Sequence, residues 1–282
     1  MICPHCDSKE FEKVLSFGKF EYVRCSACRL VTTVPMPSFS EISDYYTAKV
    51  KGGNYARFNP ETETQKQNIF KSYLRSFQSL TGSSVKDKAV LDVGCFNGFS
   101  LSAIKEYGGV PFGVELQKEA AMEAASRFPG HVLQGDALDF VKFERTFDVI
   151  TMSDVIEHLV DPFDVISKLR QGLNKGGYLI LTTPNTGSFM CRLLGKVWPS
   201  YTPIHHINIF NEKNLAEMLQ QRGFEVVSIK PLWKKLSLGY VKSILPHLSP
   251  VLGRFSRLIP GFLDKVSCPL NGGEMYLIAR AV

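Results

Sequence analysis

The sequence has no run of roughly 18 consecutive apolar residues, the length a helical membrane span needs, so no such span is expected. Its opening, Met-Ile-Cys-Pro-His-Cys, has neither the basic start nor the apolar core of a secretory leader, and a cytoplasmic address is expected. Acids are nearly missing from one stretch. Between Lys230 and Lys265, Asp264 is the single acid among seven Lys and Arg, leaving 26 basic and 26 acidic residues elsewhere. The net charge of +6 is therefore local. A basic patch of this kind is less specific for nucleic acid than a chain that is basic throughout. With 21% charged and 44% hydrophobic residues, the composition is that of a globular protein.

Cysteine, by contrast, comes in pairs. Cys3 and Cys6 lie in Cys-Pro-His-Cys, Cys25 and Cys28 in Cys-Ser-Ala-Cys, with eighteen residues between. Each pair can grip one ion from a tight turn, and two such turns close a tetrahedron. Phe11 to Phe17 and Phe20 to Arg24 flank Gly18-Lys19, which reads as a hairpin. Residues 1–32 resemble a zinc ribbon, and that resemblance implies a structural Zn2+ held by Cys3, Cys6, Cys25 and Cys28. His5 reads as a turn residue rather than a fifth ligand. Cys95, Cys191 and Cys268 are scattered and read as small core residues.

Residues 33–84 form a polar, helical linker or cap. A short helix is expected over Ser38–Tyr46, a loop over Lys51-Gly52-Gly53-Asn54, and a longer helix from about Pro60 to Leu80. From residue 85 onwards strands and helices alternate. Ala89-Val90-Leu91 is a buried strand ending at Asp92, followed by glycines at 94 and 98 and a helix start. Further strands are expected at Val110–Glu115, His131–Gln134, Phe147–Met152, Tyr178–Thr182, Phe224–Ile229 and Glu274–Ala279. Helices are expected at Lys118–Phe128, at Pro162–Leu173, and after an Asn211 cap. This is an α/β chain with a doubly wound, seven-stranded, mostly parallel sheet and a small N-terminal ribbon.

Ligands of such sheets lie beyond the carboxyl ends of the strands. Asp92, Glu115 and Asp136 stand at three of those ends, and Glu115 follows Gly94 by twenty-one residues. That spacing places an acid at ribose hydroxyls, so an adenosine ligand is expected. Five segments then carry a resemblance: Val90-Leu91-Asp92-Val93-Gly94-Cys95, Gly113-Val114-Glu115, Gly135-Asp136-Ala137, Phe147-Asp148-Val149-Ile150 and Gly176-Gly177-Tyr178-Leu179-Ile180-Leu181. Together they resemble the class I S-adenosylmethionine-dependent methyltransferases across residues 85–282, with residues 232–266 as an insertion. The resemblance implies that Asp92 and Gly94 face the methionine portion and Glu115 the ribose. It places Asp136 and the Ala137 amide at the adenine, and Ser153 by the transferable methyl. Cys95, Phe96, Gly98 and Leu116 complete the expected cofactor set. Phe96 departs from the family, which usually carries glycine there.

Glu157-His158 followed by Asp161-Pro162 is similar to the subset acting on small molecules, as is a histidine four residues before a phenylalanine that opens a capped helix. His206 and Phe210 fit that placement, with His205 one position off. The resemblance implies His206 as general base and His158 lining the site. Trp198 and Tyr201 form either an acceptor wall or a packed lid. The expected acceptor is a hydroxyl of a small molecule, sugar or glycan intermediate. The alternatives are sugar C-methylation and ribosomal RNA base methylation with a zinc finger. No Asn-Pro-Pro-Tyr motif follows the fourth strand, and the ribbon is not basic, which counts against RNA. The insertion alternates apolar residues with Lys and Arg between Pro246, Pro250 and Pro260, which reads as short helices. They form a lid or homodimer contact, or a peripheral contact with an anionic membrane.

Overall fold

The computed structural model describes residues 1–38, 40–42, 44–45, 60–239, 242, 245, 253–254, 260–264 and 266–282. The loop expected at Lys51–Asn54 lies outside them. So do Val241, Ile244, Phe255, Leu258, Ile259, Pro246 and Pro250 of the basic segment, and part of the Ser38–Tyr46 helix.

Three short strands open the chain: β1 (Phe11–Phe17), β2 (Phe20–Cys25) and β3 (Val31–Val34). The β1–β2 hairpin turns at Gly18, whose φ of 57° suits a residue without a Cβ. A 22-residue helix, α1 (Pro60–Thr81), follows. Then come β4 (Ala89–Val93), α2 (Phe99–Glu106), β5 (Val110–Glu115), α3 (Lys118–Arg127) and β6 (Val132–Gln134). The second half holds β7 (Phe147–Ser153), α4 (Pro162–Gly172), β8 (Leu173–Pro184), α5 (Phe189–Leu194), β9 (Asn208–Ile209), α6 (Glu212–Gln220) and β10 (Phe224–Pro231). Strands β11 (Lys234–Ser237), β12 (Ser267–Leu270) and β13 (Glu274–Ala281) end the chain.

Seven strands form the main sheet in the order β10-β13-β8-β7-β4-β5-β6. Neighbours from β8 to β6 run parallel, and β13 runs antiparallel to both β8 and β10. The chain leaves β4 toward β5 and β6, then returns to β7 on the other side. The crevice between the carboxyl ends of β4 and β7 is thus a topological switch point.

Side chains alternate across the sheet and feed two cores. Leu91, Leu179 and Leu181 point to the face covered by α4 and α6; Val90 and Ile180 point to the face covered by α1 and α2. Helix α1 is therefore a structural layer. Phe77 packs edge-on to Tyr178 at 5.1 Å, and the Tyr276 hydroxyl donates to the Tyr73 carbonyl at 2.9 Å. None of the helices among the described residues is long and apolar enough to cross a membrane.

Two features differ from the sequence expectation. Strand β8 begins at Leu173, five residues early: Leu173 pairs with Phe147, and the chain bulges through Gly176, at φ 76°, before Tyr178 pairs with Val149. In the basic segment, Lys234–Ser237 is a strand paired antiparallel with Ser267–Leu270, not the start of a helix. Lys234-Lys235-Leu236-Ser237 carries no clear period of its own, and the distant partner decides.

A second sheet joins the ribbon to the loop that precedes α6. Its order is β1-β2-β3-β9, with Val31 opposite Ile209 and Thr32 opposite Asn208. Leu15, Tyr22, Val31, Trp198, Tyr201 and Ile209 form a third core there. Each such buried side chain contributes about 1.5–3 kcal/mol, more than the about 1 kcal/mol of each junction hydrogen bond, so burial dominates the docking. The Tyr22 hydroxyl lies in this core, donating to the His206 carbonyl at 2.6 Å and accepting from the Thr202 amide at 3.1 Å. Replacing Tyr22 with Phe takes this donor from the His206 carbonyl, while the Thr202 amide keeps the Ser200 carbonyl at 3.1 Å. Urea denaturation should show Tyr22→Phe less stable by about 1–3 kcal/mol, whereas an unchanged midpoint would mean the junction tolerates the loss.

Candidate active site

The switch-point crevice opens with the turn after β4. Gly94 takes φ 80° and Gly98 φ 87°. A Cβ on Gly94 would lie 2.6 Å from Val155 Cγ2, so the segment after β7 closes directly onto this turn. The turn releases α2 at Phe99, and α2 points its first amide groups into the crevice mouth.

The three strand-end acids are placed differently from one another. Asp92 is buried, with Thr151 Oγ1 donating to Oδ1 at 2.5 Å and Ser100 Oγ donating to Oδ2. Burial pushes its carboxyl up to about 6, against the pull of those two hydroxyls. It thus brackets β7 and α2 around the turn. Glu115 is also buried and accepts the Phe96 amide at 2.9 Å and the Gln117 amide at 2.8 Å. Burial raises its pKa, partly offset by those amides. Asp136 is exposed and caps the 3-10 turn Ala137–Phe143: its Oδ1 accepts the Leu138 amide at 2.7 Å, while Asp139 accepts the Asp136 amide at 2.9 Å. Ala137 is the first residue of that turn. Leu116, after Glu115, is 49% exposed at the rim.

Cys95 lies fully buried beneath Gly113, where a Cβ would meet its Sγ at 2.5 Å. Its side chain therefore faces the sheet. Phe96 keeps the backbone its position demands, at φ 48° in the left-handed region. A phenylalanine there carries the strain that glycine avoids.

At the end of β7, Ser153 Oγ is 2.9 Å from Thr182 Oγ1, which donates to Asp154 Oδ1 at 2.9 Å. Asp154 is also left-handed at φ 54° and pairs with Lys234 at 3.2 Å, while Lys234 pairs with Glu274 at 2.6 Å. Asp154 is held low because Lys234 and Thr182 outweigh its burial. The sequence reasoning passed over Ser100, Thr151 and Lys234. A lone hydroxyl inside the apolar run of β7 was the available signal for Thr151. Lys234 has none, because its partners lie on distant strands.

His158, His205 and His206 converge. One nitrogen from each lies within 4.8 Å of the others, and the rings of His158 and His205 are 4.2 Å apart. His158 closes a short turn, its amide bonded to the Val155 carbonyl at 2.9 Å, and so stands two links from Gly94. Next to it Glu157 is fully buried, accepting from Thr183 Oγ1 at 2.9 Å, and burial together with the charge of Asp154 pushes its pKa well up. His205 and His206 lie in the loop that ends in β9. Trp198 and Tyr201 are 1% and 5% exposed, and Trp198 Nε1 donates to the Gly272 carbonyl at 2.9 Å. They are packed core under that loop and form no wall of the acceptor site.

At the other end of the ribbon, the four sulfurs of Cys3, Cys6, Cys25 and Cys28 lie within 4.8 Å of one another, with Cys3–Cys28 and Cys6–Cys25 both at 3.5 Å. Four sulfurs so clustered fit one tetrahedral ion. Burial alone would raise the Cys25 thiol, but the amides of Cys28 and Ala27 and the Cys6 thiol bring it down to about 6. His5 stays outside the cluster. It stacks on Phe163 and meets Glu217 Oε2 at 3.3 Å.

A parallel sheet with a glycine turn at its switch point and carboxylates on successive strand ends defines a site for an adenosine-bearing cofactor. Residues 65–229, more than half of the chain, match a family model described as a methyltransferase domain. The chain belongs to that family, the class I S-adenosylmethionine-dependent methyltransferases, and is an enzyme of this kind. It is 28% identical over 174 residues to a ubiquinone biosynthesis O-methyltransferase of Aliivibrio fischeri, covering 54% of this chain and 72% of the relative. In fold it is similar to the magnesium protoporphyrin IX methyltransferase of Synechocystis PCC 6803, solved with bound SAH. That likeness has a TM-score of 0.56 at 14% identity and covers 87% of this chain and all of the other. A SAM-dependent methyltransferase from Archaeoglobus fulgidus is similar over 84% of this chain and 99% of its own, with a TM-score of 0.52 at 19% identity.

The Phe96 backbone yields a measurable contrast. Phe96→Ala and Phe96→Gly both delete the ring, but only glycine relieves the left-handed strain. Urea midpoints should place Phe96→Gly above Phe96→Ala by about 1 kcal/mol; equal midpoints would show that the turn relaxes instead.

Proposed function

We propose that the enzyme moves the methyl group of S-adenosylmethionine to a hydroxyl of a small molecule, or of a sugar or glycan intermediate, and that Cys3, Cys6, Cys25 and Cys28 hold a structural Zn2+. The observation that carries the acceptor reading is the meeting of His158, His205 and His206 beside the Gly94 turn. The sulfonium donor is already activated by its charge, so the protein must align the acceptor, exclude water and remove the hydroxyl proton. Imidazoles titrate near neutral pH and suit the last task. His206 is the residue assigned to it: its Nδ1 faces the Ser200 carbonyl at 2.7 Å, which leaves Nε2 as the basic nitrogen. The name of the Aliivibrio fischeri relative, an O-methyltransferase, agrees with a hydroxyl acceptor.

The binding roles divide along the strand ends. In this reading Glu115 takes the ribose hydroxyls, the Asp136–Ala137 turn the adenine, and the Gly94–Gly98 turn the methionine portion. Asp92 acts from behind as a positioning residue. All seven cysteines are free, as a reducing cytoplasm would keep them, and free thiols are what the ribbon needs to take its ion.

Two measurements test this assignment. His206→Ala should lower kcat by about 100-fold or more, with S-adenosylhomocysteine affinity by calorimetry unchanged; loss of that affinity would make the residue structural. Elemental analysis of Cys28→Ser should show the loss of about one zinc per chain relative to the wild type, and equal zinc contents would remove the metal from the ribbon.

A further inference from the structure

We infer that His158, His205 and His206 together form a binding site for one divalent transition-metal ion at the rim of the cofactor crevice. Three nitrogens each within 4.8 Å of the others can surround a centre no more than about 2.8 Å from any of them. Shifts of under about 1 Å then reach a metal–imidazole bond of about 2.0–2.1 Å.

Hydrogen bonds set the tautomer of two of the rings. His158 Nδ1 lies 2.5 Å from the His205 carbonyl oxygen, and His206 Nδ1 lies 2.7 Å from that of Ser200. A carbonyl can only accept, so each Nδ1 carries the hydrogen and each Nε2 carries the lone pair. An outer hydrogen bond of this kind fixes the tautomer of a metal-bound histidine.

The backbone that carries the rings is braced. The Ile207 amide donates to the Glu157 carbonyl at 2.7 Å, and Asn208 Nδ2 donates to that of Leu159 at 2.9 Å. These bonds tie the segment of His158 to that of His205 and His206. Three imidazoles without a thiolate favour zinc, cobalt, nickel or iron over magnesium or calcium. The Glu157 carboxyl lies 4.0 Å from His158 Nε2, beside the neutral ligand set.

The role of the ion, unlike its site, rests on the hydroxyl acceptor proposed above. An acceptor hydroxyl bound to the ion would lose its proton to solvent more readily. Its oxygen would then form the new O–CH3 bond as the S–CH3 bond breaks and the electron pair returns to sulfur. His206 would in that case act through the ion rather than take the proton itself.

The test uses full-length, tag-free protein with the ribbon zinc loaded, dialysed against Co2+, with zinc and cobalt measured together and the visible spectrum recorded. The wild type should keep its zinc and gain about one cobalt, with the weak d–d bands of a nitrogen-ligated ion and no intense sulfur charge-transfer band. His205→Gln and His158→Gln should lose that cobalt while keeping zinc and S-adenosylhomocysteine binding. A wild type that binds S-adenosylhomocysteine but takes up no cobalt beyond exchange of its zinc overturns the site. So does uptake that both variants retain. Uptake by a protein found to methylate carbon or nitrogen would uphold the site and remove only the hydroxyl acceptor.

Discussion

The pairing of β3 with β9 is the constraint on which the histidine loop of this enzyme depends. It is short, only Val31 with Ile209 and Thr32 with Asn208, yet it lies at the end of the loop that carries His205 and His206. Asn208 is buried in it, accepting from Thr32 Oγ1 and donating to the Leu159 carbonyl. One side chain therefore links the ribbon, the histidine loop and the turn that bears His158. Cys28 extends the same logic. Its carbonyl accepts from the side chain of Asn214, which also caps α6 reciprocally with Asn211. The cysteine cluster thus holds the strand that holds the loop.

The cofactor side is built on different physics. There the carboxylates stiffen the crevice before they meet any ligand. Asp92 and Glu115 are buried, and each joins two chain segments through hydroxyl or amide donors. Buried carboxylates of this kind are costly unless such donors are in place. The donors come from the start of α2, from β7, from the turn itself and from Gln117 ahead of α3, and together they hold the shape of the cleft. Asp136 contributes differently, since it is exposed and capping.

Legibility in the sequence followed the range of the interactions. Val110–Glu115 was readable to the residue because a buried parallel strand is a continuous apolar run ending at its acid. Asn211 and Asp161-Pro162 marked helix starts because a cap is a local hydrogen bond. The cysteine spacing was readable because two knuckles are local too. What escaped was non-local. A two-residue strand such as Asn208–Ile209 has no period to detect, and its partner is 176 residues away at Thr32. Lys234–Ser237 escaped for the same reason, since four residues without a period do not distinguish a strand from one turn of helix. The inward turn of the Asp92 carboxylate depends on Ser100 and Thr151, whose hydroxyls look unremarkable in the chain. Trp198 and Tyr201 could be read as wall or packing until Tyr22 and Gly272 were seen beside them.

The sequence separation of the ribbon's contacts also orders the birth of the enzyme. Thr33 reaches the Pro203 carbonyl, Tyr22 reaches His206, and His5 reaches Glu217, each across 170 residues or more. A chain leaving the ribosome at about 5–20 residues per second therefore exposes its cysteine knuckles roughly ten to thirty seconds before the surface that receives them exists. Both knuckles lie within residues 3–28. Their hydrophobic flank, Tyr22 and Val31, must wait for nearly the whole catalytic domain to be synthesised. The ribbon is thus made well before the residues that seat it.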